Sequence, residues 1–311
     1  MNDYEIAVLI PCYNEETTIL GVINDFQKAL PQSRVYVYDN NSQDKTIEIA
    51  ATTSAIVRSE PHQGKGNVVR RMFADIDADI YLMIDGDATY DAGSATLLVE
   101  HLIDNNLDMV NGRRVTEENE AYRQGHKLGN KLLTSIVANT FGHDFKDMLS
   151  GYRVFSKRFV KSFPAFSHGF EIETELTIHA LELRMPVSEI DTPYGARPEG
   201  SESKLSTFRD GFRILKWIFF LTKEEKPLQF FLSIALILFI LSIITAWPVF
   251  LTYIETGLVP RLPTAILATG IMLLSFLSSA AGLILGTVSN GRKEMKRLFY
   301  LSIPAVNRKN D

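Results

Sequence analysis

The stretch "IYLMIDGDATYD", residues 80 to 91, decides the fold. It opens with a short apolar run of the kind that forms strands buried on both faces of a parallel sheet. Asp85, Asp87 and Asp91 follow the run at once. Carboxylates this close repel one another unless a positive group lies between them. The stretch therefore predicts a buried strand that delivers acidic side chains to a site at its carboxyl end.

Similar apolar runs occur earlier in the chain and alternate with helical stretches. The runs are "IAVLI" (6–10), "RVYVYD" (34–39) and "AIVR" (55–58). The helical stretches are residues 16–30, 44–52 and 65–76. Strands and helices that alternate at this spacing predict an α/β fold, in which a mixed, mainly parallel sheet carries helices on both faces.

A polar loop follows each predicted strand. The loops are "PCYNEE", "DNNSQDKT", "HQGKGN" and "DGDATYD". Since ligands of such folds bind beyond the carboxyl ends of the strands, the loops predict one site. Asp39 is placed there to accept hydrogen bonds from a base or ribose, or to form an Asx-turn beside Asn40. Lys65, between two glycines at a helix start, favours an anion, unless the loop is an ordinary helix cap.

Asp85 and Asp87 form a D-x-D pair in which alternate side chains reach one region, and Gly86 lets the backbone bend close to a ligand. Mg²⁺ and Mn²⁺ prefer oxygen ligands and usually keep water and substrate phosphates in their remaining positions. We therefore expect Asp85 and Asp87 to hold Mg²⁺ or Mn²⁺, with a further oxygen from Thr89, and the cation to hold a diphosphate. The alternative is that these acids only cap helices or form turns.

Composition limits the class of protein. The chain has 311 residues, a net charge of −5 and one cysteine, Cys12. This length allows one large domain or two smaller ones, and the balanced charge predicts no nucleic-acid partner. The single cysteine excludes an internal disulfide, and the N-terminus lacks the pattern of a secretory signal. We expect the front of the chain to stay in the cytoplasm.

Two stretches, 227–254 and 262–291, contain no charged residue. Each is longer than the roughly 20 apolar residues that cross a bilayer. They predict a transmembrane hairpin with spans at about 228–252 and 264–288 and a turn near 256–263, whereas the alternative is two buried helices of a soluble domain. Lysines and arginines flank the hairpin, so the positive-inside tendency places both ends in the cytoplasm and the protein in the cell membrane.

The predicted domain layout has four parts. These are a cytoplasmic catalytic domain (1–205), an amphipathic helix at the bilayer interface (206–226), the two spans (227–291) and a basic cytoplasmic tail (292–311). The amphipathic helix has one aromatic and one basic face, and packing on the catalytic domain is its alternative role. Small residues in the second span favour close helix contacts and a homo-oligomer. They are Gly270, Ser275, Ser278, Ser279, Ala280 and Gly282.

Five motifs in order resemble those of family 2 glycosyltransferases with the GT-A (Rossmann-like) fold. They are "VLIPCYNEE", "VYDNNSQDKT", "GKGN", "MIDGDATYD" and "DMLSGYRVFSK". The resemblance is closer still to polyprenyl-phosphate sugar transferases of the dolichol-phosphate mannose synthase group, and it covers residues 5 to about 210. It implies that Asp85 lies near the ribose and Asp87 on the metal. The expected nucleotide-sugar-binding residues are Pro11, Tyr13, Glu15, Asp39, Lys65 and Asp85. Two departures are Asn40, where many relatives carry an acid, and Thr89, where mannose synthases often carry glutamine.

A basic cluster lies between residues 108 and 205, where arginine forks suit phosphate oxygens unless they are merely solvated. The resemblance implies that Arg114, Arg123 and Arg197 bind the phosphate of a lipid acceptor. The full set expected at this phosphate is Arg114, Arg123, Lys127, Ser150, Arg153, Arg197, Ser203 and Lys204. Asp147 lies where relatives place a carboxylate near the acceptor. A hydroxyl acceptor needs such a base, but an ionised phosphate does not, so Asp147 either orients the acceptor or caps a turn. The expected catalytic residues are Asp87, Asp147 and Arg123.

Together these observations predict a membrane-anchored inverting glycosyltransferase of cell-envelope glycan synthesis. It moves a hexose from a nucleotide diphosphate sugar to a polyprenyl phosphate. The favoured donor is UDP-glucose or another UDP-hexose. The alternatives are a GDP-mannose donor, a glycan or protein hydroxyl as acceptor, and a non-catalytic membrane scaffold. A processive polysaccharide synthase is disfavoured because the chain has no Q-x-x-R-W stretch.

Overall fold

The structure is a computed structural model that describes residues 3–115, 145–198, 223–224 and 226–306. The chain divides into two compact units, which are Met1–Trp217 with Lys296–Asp311, and Ile218–Met295. The first unit contains the sheet and the candidate site. The second unit contains most of two long apolar helices.

Among the described residues, seven strands form one sheet in the order β3-β2-β1-β4-β6-β5-β7. The strands are β1 (Ile6–Cys12), β2 (Arg34–Asp39), β3 (Ile56–Ser59), β4 (Ile80–Met83), β5 (Met109–Val115), β6 (Arg153–Ser156) and β7 (Val187–Pro193). Strand β6 runs antiparallel to its neighbours β4 and β5, and the other pairs are parallel. The predicted mixed, mainly parallel sheet is confirmed.

In the described part of the first unit, six helices pack on the two faces of this sheet. They are α1 (Ile19–Ala29), α2 (Thr46–Ala51), α3 (Lys65–Asp75), α4 (Ser94–Asp104), α5 (Lys157–Ser162) and α6 (Ile172–Leu183). Alternate residues of β1 face opposite sides, so Val8 and Ile10 join the core under α1 and α4, whereas Leu9 joins the core under α3 and α6. All three side chains have no exposed surface. This two-sided burial explains why the strands read as continuous apolar runs.

The second unit is built from α7 (Pro227–Thr256) and most of α8 (Leu262–Leu301). By length and composition, both helices are long and apolar enough to cross a membrane. Helix α7 ends at Gly257, whose φ of 69° few other residues adopt, as the sequence predicted for a turn near 256–263. Helix α8 continues past the predicted end of the span at 288, through Gly291 and on to Leu301, because no proline interrupts "VSNGRKEMKRLFYL".

Small residues of α8 contact α7 within the same chain. Ser275 Oγ donates a hydrogen bond to Ala235 O at 2.8 Å, and Ser278 Oγ donates to Phe231 O at 3.0 Å. A Cβ on Gly282 would lie 3.0 Å from Phe231 Cβ, closer than ordinary contact allows. Three of the small residues expected to mediate oligomer contacts therefore serve the hairpin itself. The homo-oligomer stays a prediction.

Candidate active site

The loops after β1 and β2 are tied together by hydrogen bonds. Asn14 N–H donates to Ser42 Oγ at 2.8 Å, and Gln43 N–H donates to Asn14 Oδ1 at 2.7 Å. Glu15 N–H donates to Thr46 Oγ1 at 2.8 Å. Two of the four polar loops therefore form one rim at the carboxyl ends of neighbouring strands.

Asp39 ends β2 opposite Cys12 of β1, which lies close in the chain to the other predicted nucleotide-binding residues of this rim. Pro11 and Glu15 are buried, and Tyr13 is partly exposed. Asp39 is 1% exposed, and its Oδ2 accepts a hydrogen bond from Ser42 N–H at 3.0 Å. Its Oδ1 is buried without a hydrogen-bond partner among the described residues. Because an unpaired buried carboxylate oxygen is costly, Asp39 offers an acceptor that a ribose hydroxyl or a base N–H would satisfy. The expected Asx-type contact is present, and nucleotide binding through Oδ1 stays a prediction.

Asn40, the first departure from the relatives, organises the loop between β3 and α3. Its Nδ2 donates to Glu60 O at 2.9 Å and to His62 O at 2.8 Å. Its Oδ1 accepts a hydrogen bond from Gly64 N–H at 2.6 Å. A carboxylate cannot donate the first two bonds, so the amide is needed here to hold the loop.

Lys65, at the start of α3, lies between the carboxylates of Asp85 and Glu173. Asp85 follows β4, and Glu173 lies in α6. The Lys65 Nζ contacts Asp85 and lies 2.5 Å from Glu173 Oε1. Burial lowers the pKa of Lys65, but the two carboxylates outweigh burial and raise that pKa well above its ordinary value. Burial raises the pKa of Glu173, and the Lys65 charge opposes this rise. Lys65 therefore neutralises acidic side chains in the predicted donor site.

The glycines around Lys65 are required by packing. A Cβ on Gly64 would overlap the carbonyl oxygen of His168, and one on Gly66 would overlap that of Ser167. Gly64 also has a φ of 128°, which side chains rarely tolerate. Gly66 N–H donates to His168 O at 3.1 Å, and the Gly64 N–H is bonded as described above. The N–H groups of both glycines already have protein partners, so an anion bound here would contact Lys65 or other amides, and the predicted anion contact of Lys65 stays a prediction.

Asp87 joins the two predicted halves of the site. It is 4% exposed, and its Oδ1 accepts hydrogen bonds from Thr89 Oγ1 at 2.6 Å and Thr89 N–H at 3.2 Å. Its Oδ2 lies 2.6 Å from Arg197 Nη2. Thr89 therefore orients the Asp87 carboxylate, and direct contact between Thr89 and a metal stays a prediction. Arg197, expected on the acceptor phosphate, contacts the aspartate expected on the metal.

The donor set of the site suits a hard divalent cation. Within the described ranges, no group of three or more His, Cys, Asp or Glu side chains is arranged as a metal centre. Mg²⁺ commonly uses one or two carboxylates and completes its coordination with water and substrate phosphates, which Asp85 and Asp87 match. Both carboxylates are ion-paired, with Lys65 and Arg197 respectively. A divalent cation that binds here competes with Lys65 and Arg197 for the two carboxylates. The site therefore suits a cation that binds together with a diphosphate better than a cation alone.

Arg114 and Asp147 form a bidentate ion pair in the predicted acceptor half. Arg114 Nε lies 2.7 Å from Asp147 Oδ2, and Arg114 Nη2 lies 2.8 Å from Asp147 Oδ1. The Arg114 guanidinium also lies 5.5 Å from the ring centroid of Tyr194. Glu189 holds the Asp147 segment by accepting hydrogen bonds from Lys146 N–H at 2.7 Å and Asp147 N–H at 3.3 Å. Asp147 is thus bound by an arginine and fixed in position.

Arg153 and Ser150 are structural, which corrects their predicted contact with the acceptor phosphate. Arg153 has no exposed surface, and its three nitrogens donate to Ser150 O at 3.0 Å, Met148 O at 2.5 Å and Thr177 Oγ1 at 2.9 Å. Burial lowers the pKa of Arg153 to about 10. Ser150 is also fully buried and donates its hydroxyl to Gly112 O at 2.6 Å. Both side chains hold the turn before β6, and neither has exposed surface at which a phosphate could bind.

Other expected site residues lie outside the part of the chain that the structure describes. They are Arg123, Lys127, Ser203 and Lys204, together with the amphipathic helix as far as residue 222.

Gly151 is a site residue that sequence reasoning missed. A Cβ on Gly151 would lie 2.5 Å from Asp85 Oδ2, so only glycine leaves room for this carboxylate. Gly151 N–H donates to Tyr90 Oη at 2.8 Å, which fixes the turn beside β4. The glycine in "LSGYR" was visible in the sequence, but its proximity to Asp85 depends on the pairing of β4 with β6.

Comparison with known proteins agrees with this architecture. Residues 7–163 match the family model described as glycosyl transferase family 2. Glycosyltransferase AglJ of Haloferax volcanii is 34% identical over 230 residues, which are 74% of this chain and 76% of AglJ. A dolichyl-phosphate hexose transferase of the same organism is 26% identical over 222 residues, 71% of this chain and 96% of that protein.

A solved structure shares the fold. Glucosyl-3-phosphoglycerate synthase from Mycobacterium tuberculosis, in complex with Mn²⁺, UDP-glucose and phosphoglyceric acid, superposes with a TM-score of 0.56 and 22% identity. The superposition covers 69% of this chain and 78% of the synthase. The sheet and its helices therefore have the GT-A fold that the motifs predicted. With the family model matching half of the chain and AglJ aligned over most of it, this chain belongs to glycosyl transferase family 2.

Proposed function

We propose that this glycosyltransferase moves a hexose from a nucleotide diphosphate sugar to a polyprenyl phosphate, with inversion at the anomeric carbon. A UDP-hexose is the first choice of donor. The similarity to a dolichyl-phosphate hexose transferase supports the lipid acceptor, and the UDP-glucose in the structural neighbour supports the nucleotide. The two long apolar helices suit an enzyme whose acceptor lies in a membrane. The basic residues that flank them favour an orientation with both chain ends in the cytoplasm.

The contact between Arg197 and Asp87 carries the proposal. It brings a cation suited to a phosphate within 2.6 Å of a carboxylate suited to a metal-bound diphosphate. A transfer between two phosphate-bearing substrates needs both kinds of group side by side. Arg114, whose guanidinium is held beside Tyr194, supplies a second cation for the acceptor.

In the proposed reaction, a phosphate oxygen of the lipid attacks the anomeric carbon, and the bond from that carbon to the nucleotide diphosphate breaks. Asp39 accepts hydrogen bonds from the donor nucleotide through its unpaired Oδ1. A divalent cation at Asp85 and Asp87 supplies neutralisation of the charge that develops on the departing diphosphate. Arg197 and Arg114 orient the lipid phosphate in line with the anomeric carbon.

The geometry of Asp147 favours a phosphate over a hydroxyl as acceptor. Both oxygens of Asp147 are engaged by the Arg114 guanidinium. Two charge-assisted hydrogen bonds favour the ionised carboxylate and weaken it as a proton acceptor. An ionised phosphate needs no base, so we assign Asp147 the role of fixing Arg114.

The test is a transfer assay with the purified full chain in detergent or liposomes. Radiolabelled UDP-glucose, other UDP-hexoses and GDP-mannose are each offered with undecaprenyl or dolichyl phosphate, in the presence of Mg²⁺ or Mn²⁺. We expect a UDP-hexose to yield a labelled product that enters organic solvent and depends on the lipid. Label found only in a water-soluble glycan or protein would refute the lipid acceptor. The same product from GDP-mannose alone would correct the donor.

A further inference from the structure

Glu173 is buried at the donor side of the candidate site and has no assigned role. It lies in the first turn of α6 and is 5% exposed. Its Oε1 lies 2.5 Å from Lys65 Nζ, which also contacts Asp85. The Lys65 side chain is itself only 10% exposed. Since water screens such a buried contact weakly, Glu173 holds the Lys65 ammonium firmly in place.

The helix that carries Glu173 is fixed to the segment that carries Lys65. The carboxylate of Glu175 accepts hydrogen bonds from Phe166 N–H and Ser167 N–H, each at 2.7 Å. The loop held in this way packs against the glycines on both sides of Lys65, as described above. The distance between Glu173 and Lys65 is therefore set by backbone packing.

We propose that Glu173 is a positioning residue that lets Asp85 exchange Lys65 for a metal-bound diphosphate, an inference that rests on the proposed function. A cation that approaches Asp85 repels the Lys65 ammonium. Glu173 offers the ammonium a second partner 2.5 Å away, so Lys65 leaves Asp85 without leaving the site. The charge of Lys65 then remains beside the diphosphate. Glu173 acts through Lys65 and contacts neither substrate.

The experiment measures binding, with the full chain in detergent, by isothermal titration calorimetry. Mn²⁺ is titrated in the presence of UDP, and UDP is titrated without metal. Glu173→Gln removes one negative charge and leaves Lys65 with Asp85 as its main partner, so Mn²⁺ binding should weaken by about tenfold, within the range for contacting charges. Metal-free UDP should bind as tightly as to the wild type or more tightly, because the site becomes more positive. Glu173→Asp keeps the charge and should restore most of the Mn²⁺ affinity.

Glu171→Gln is the matched control. Glu171 is a buried glutamate at the start of the same helix, and it accepts a hydrogen bond from Gly169 N–H at 3.1 Å. Its replacement should change both affinities less than about twofold, as for a site without charge coupling. If Glu173→Gln weakens Mn²⁺ and metal-free UDP together, or neither, the proposal is overturned.

The calorimetry and the transfer assay together separate this inference from the proposed function. A wild-type protein that binds Mn²⁺ with UDP, yet never glycosylates a polyprenyl phosphate, would refute the lipid acceptor and leave the role of Glu173 standing. GDP replaces UDP if the wild type prefers it. A wild type that binds neither nucleotide with Mn²⁺ would overturn both proposals.

Discussion

Replacing Arg197 with methionine should strengthen metal binding while weakening transfer. In the structure Arg197 Nη2 lies 2.6 Å from Asp87 Oδ2, so the guanidinium occupies one side of a carboxylate that the metal would use. The Asp87 side chain is 5% exposed and that of Arg197 is 27% exposed. A charge-assisted contact of this intermediate exposure contributes about 1 to 2 kcal/mol. Loss of this competitor should therefore lower the dissociation constant of Mn²⁺ by about 5- to 30-fold.

The assay is titration of Mn²⁺ into the purified full chain at saturating UDP, followed by transfer kinetics with polyprenyl phosphate. The KM for the lipid should rise, because Arg197 no longer binds its phosphate. Arg113→Met is the control, since the Arg113 side chain is 28% exposed and pairs with Asp191 of the neighbouring strand β7. A variant at Arg197 that is folded but binds Mn²⁺ no better than wild type would refute this competition.

Three further predictions concern the individual residues Gly151, Arg153 and His179. Gly151→Ala should displace Asp85 and weaken Mn²⁺ binding at saturating UDP by about tenfold at a folding cost of only about 1 kcal/mol; calorimetry that finds wild-type affinity would contradict this. Arg153→Met should lower the free energy of unfolding by about 3 kcal/mol in urea, because buried carbonyls lose their donors. A stable variant with a raised lipid KM would restore Arg153 to the acceptor site. Burial lowers the pKa of His179 to about 3. The native state therefore binds fewer protons than the unfolded state between that value and about 6.5, and stability is lost as pH falls through this window. His179→Phe should flatten that loss. A melting temperature that falls as steeply between pH 7 and pH 5 in the variant as in the wild type would contradict this prediction.

The first half of the sheet was predictable from the sequence because its signals are local. Strands β1, β2 and β4 are short apolar runs that are mostly buried, and polar residues follow each of them. The prediction of a buried strand was wrong for β3, which lies at the edge of the sheet and is largely exposed. The predicted ranges 6–10 and 80–85 differ from β1 and β4 by two residues at their carboxyl ends. There the backbone turns to present the site, and an apolar pattern does not mark where hydrogen bonding between strands stops.

The second half of the site was less predictable because its contacts join distant parts of the chain. Lys65 and Glu173 are 108 residues apart in sequence and meet only because the folded chain brings the first turns of α3 and α6 together. Arg153 reads as an exposed cation in "LSGYRVF", yet β6 lies between β4 and β5 and carries it into the core. The sequence shows that an arginine is able to bind a phosphate. Whether it is exposed to one depends on the order of the strands, which the sequence does not show.

The interlock between Gly64–Gly66 and the backbone of Ser167–His168 has a consequence for protein engineering. Two pieces of chain that lie far apart in the gene are coupled, because a side chain at position 64 or 66 would overlap the backbone of residues 167–168. A chimera that imports a loop without these two glycines should fold only if it also imports the segment that replaces residues 164–175. Recombination libraries that respect this pairing should yield more soluble hybrids than libraries that cut between the two segments.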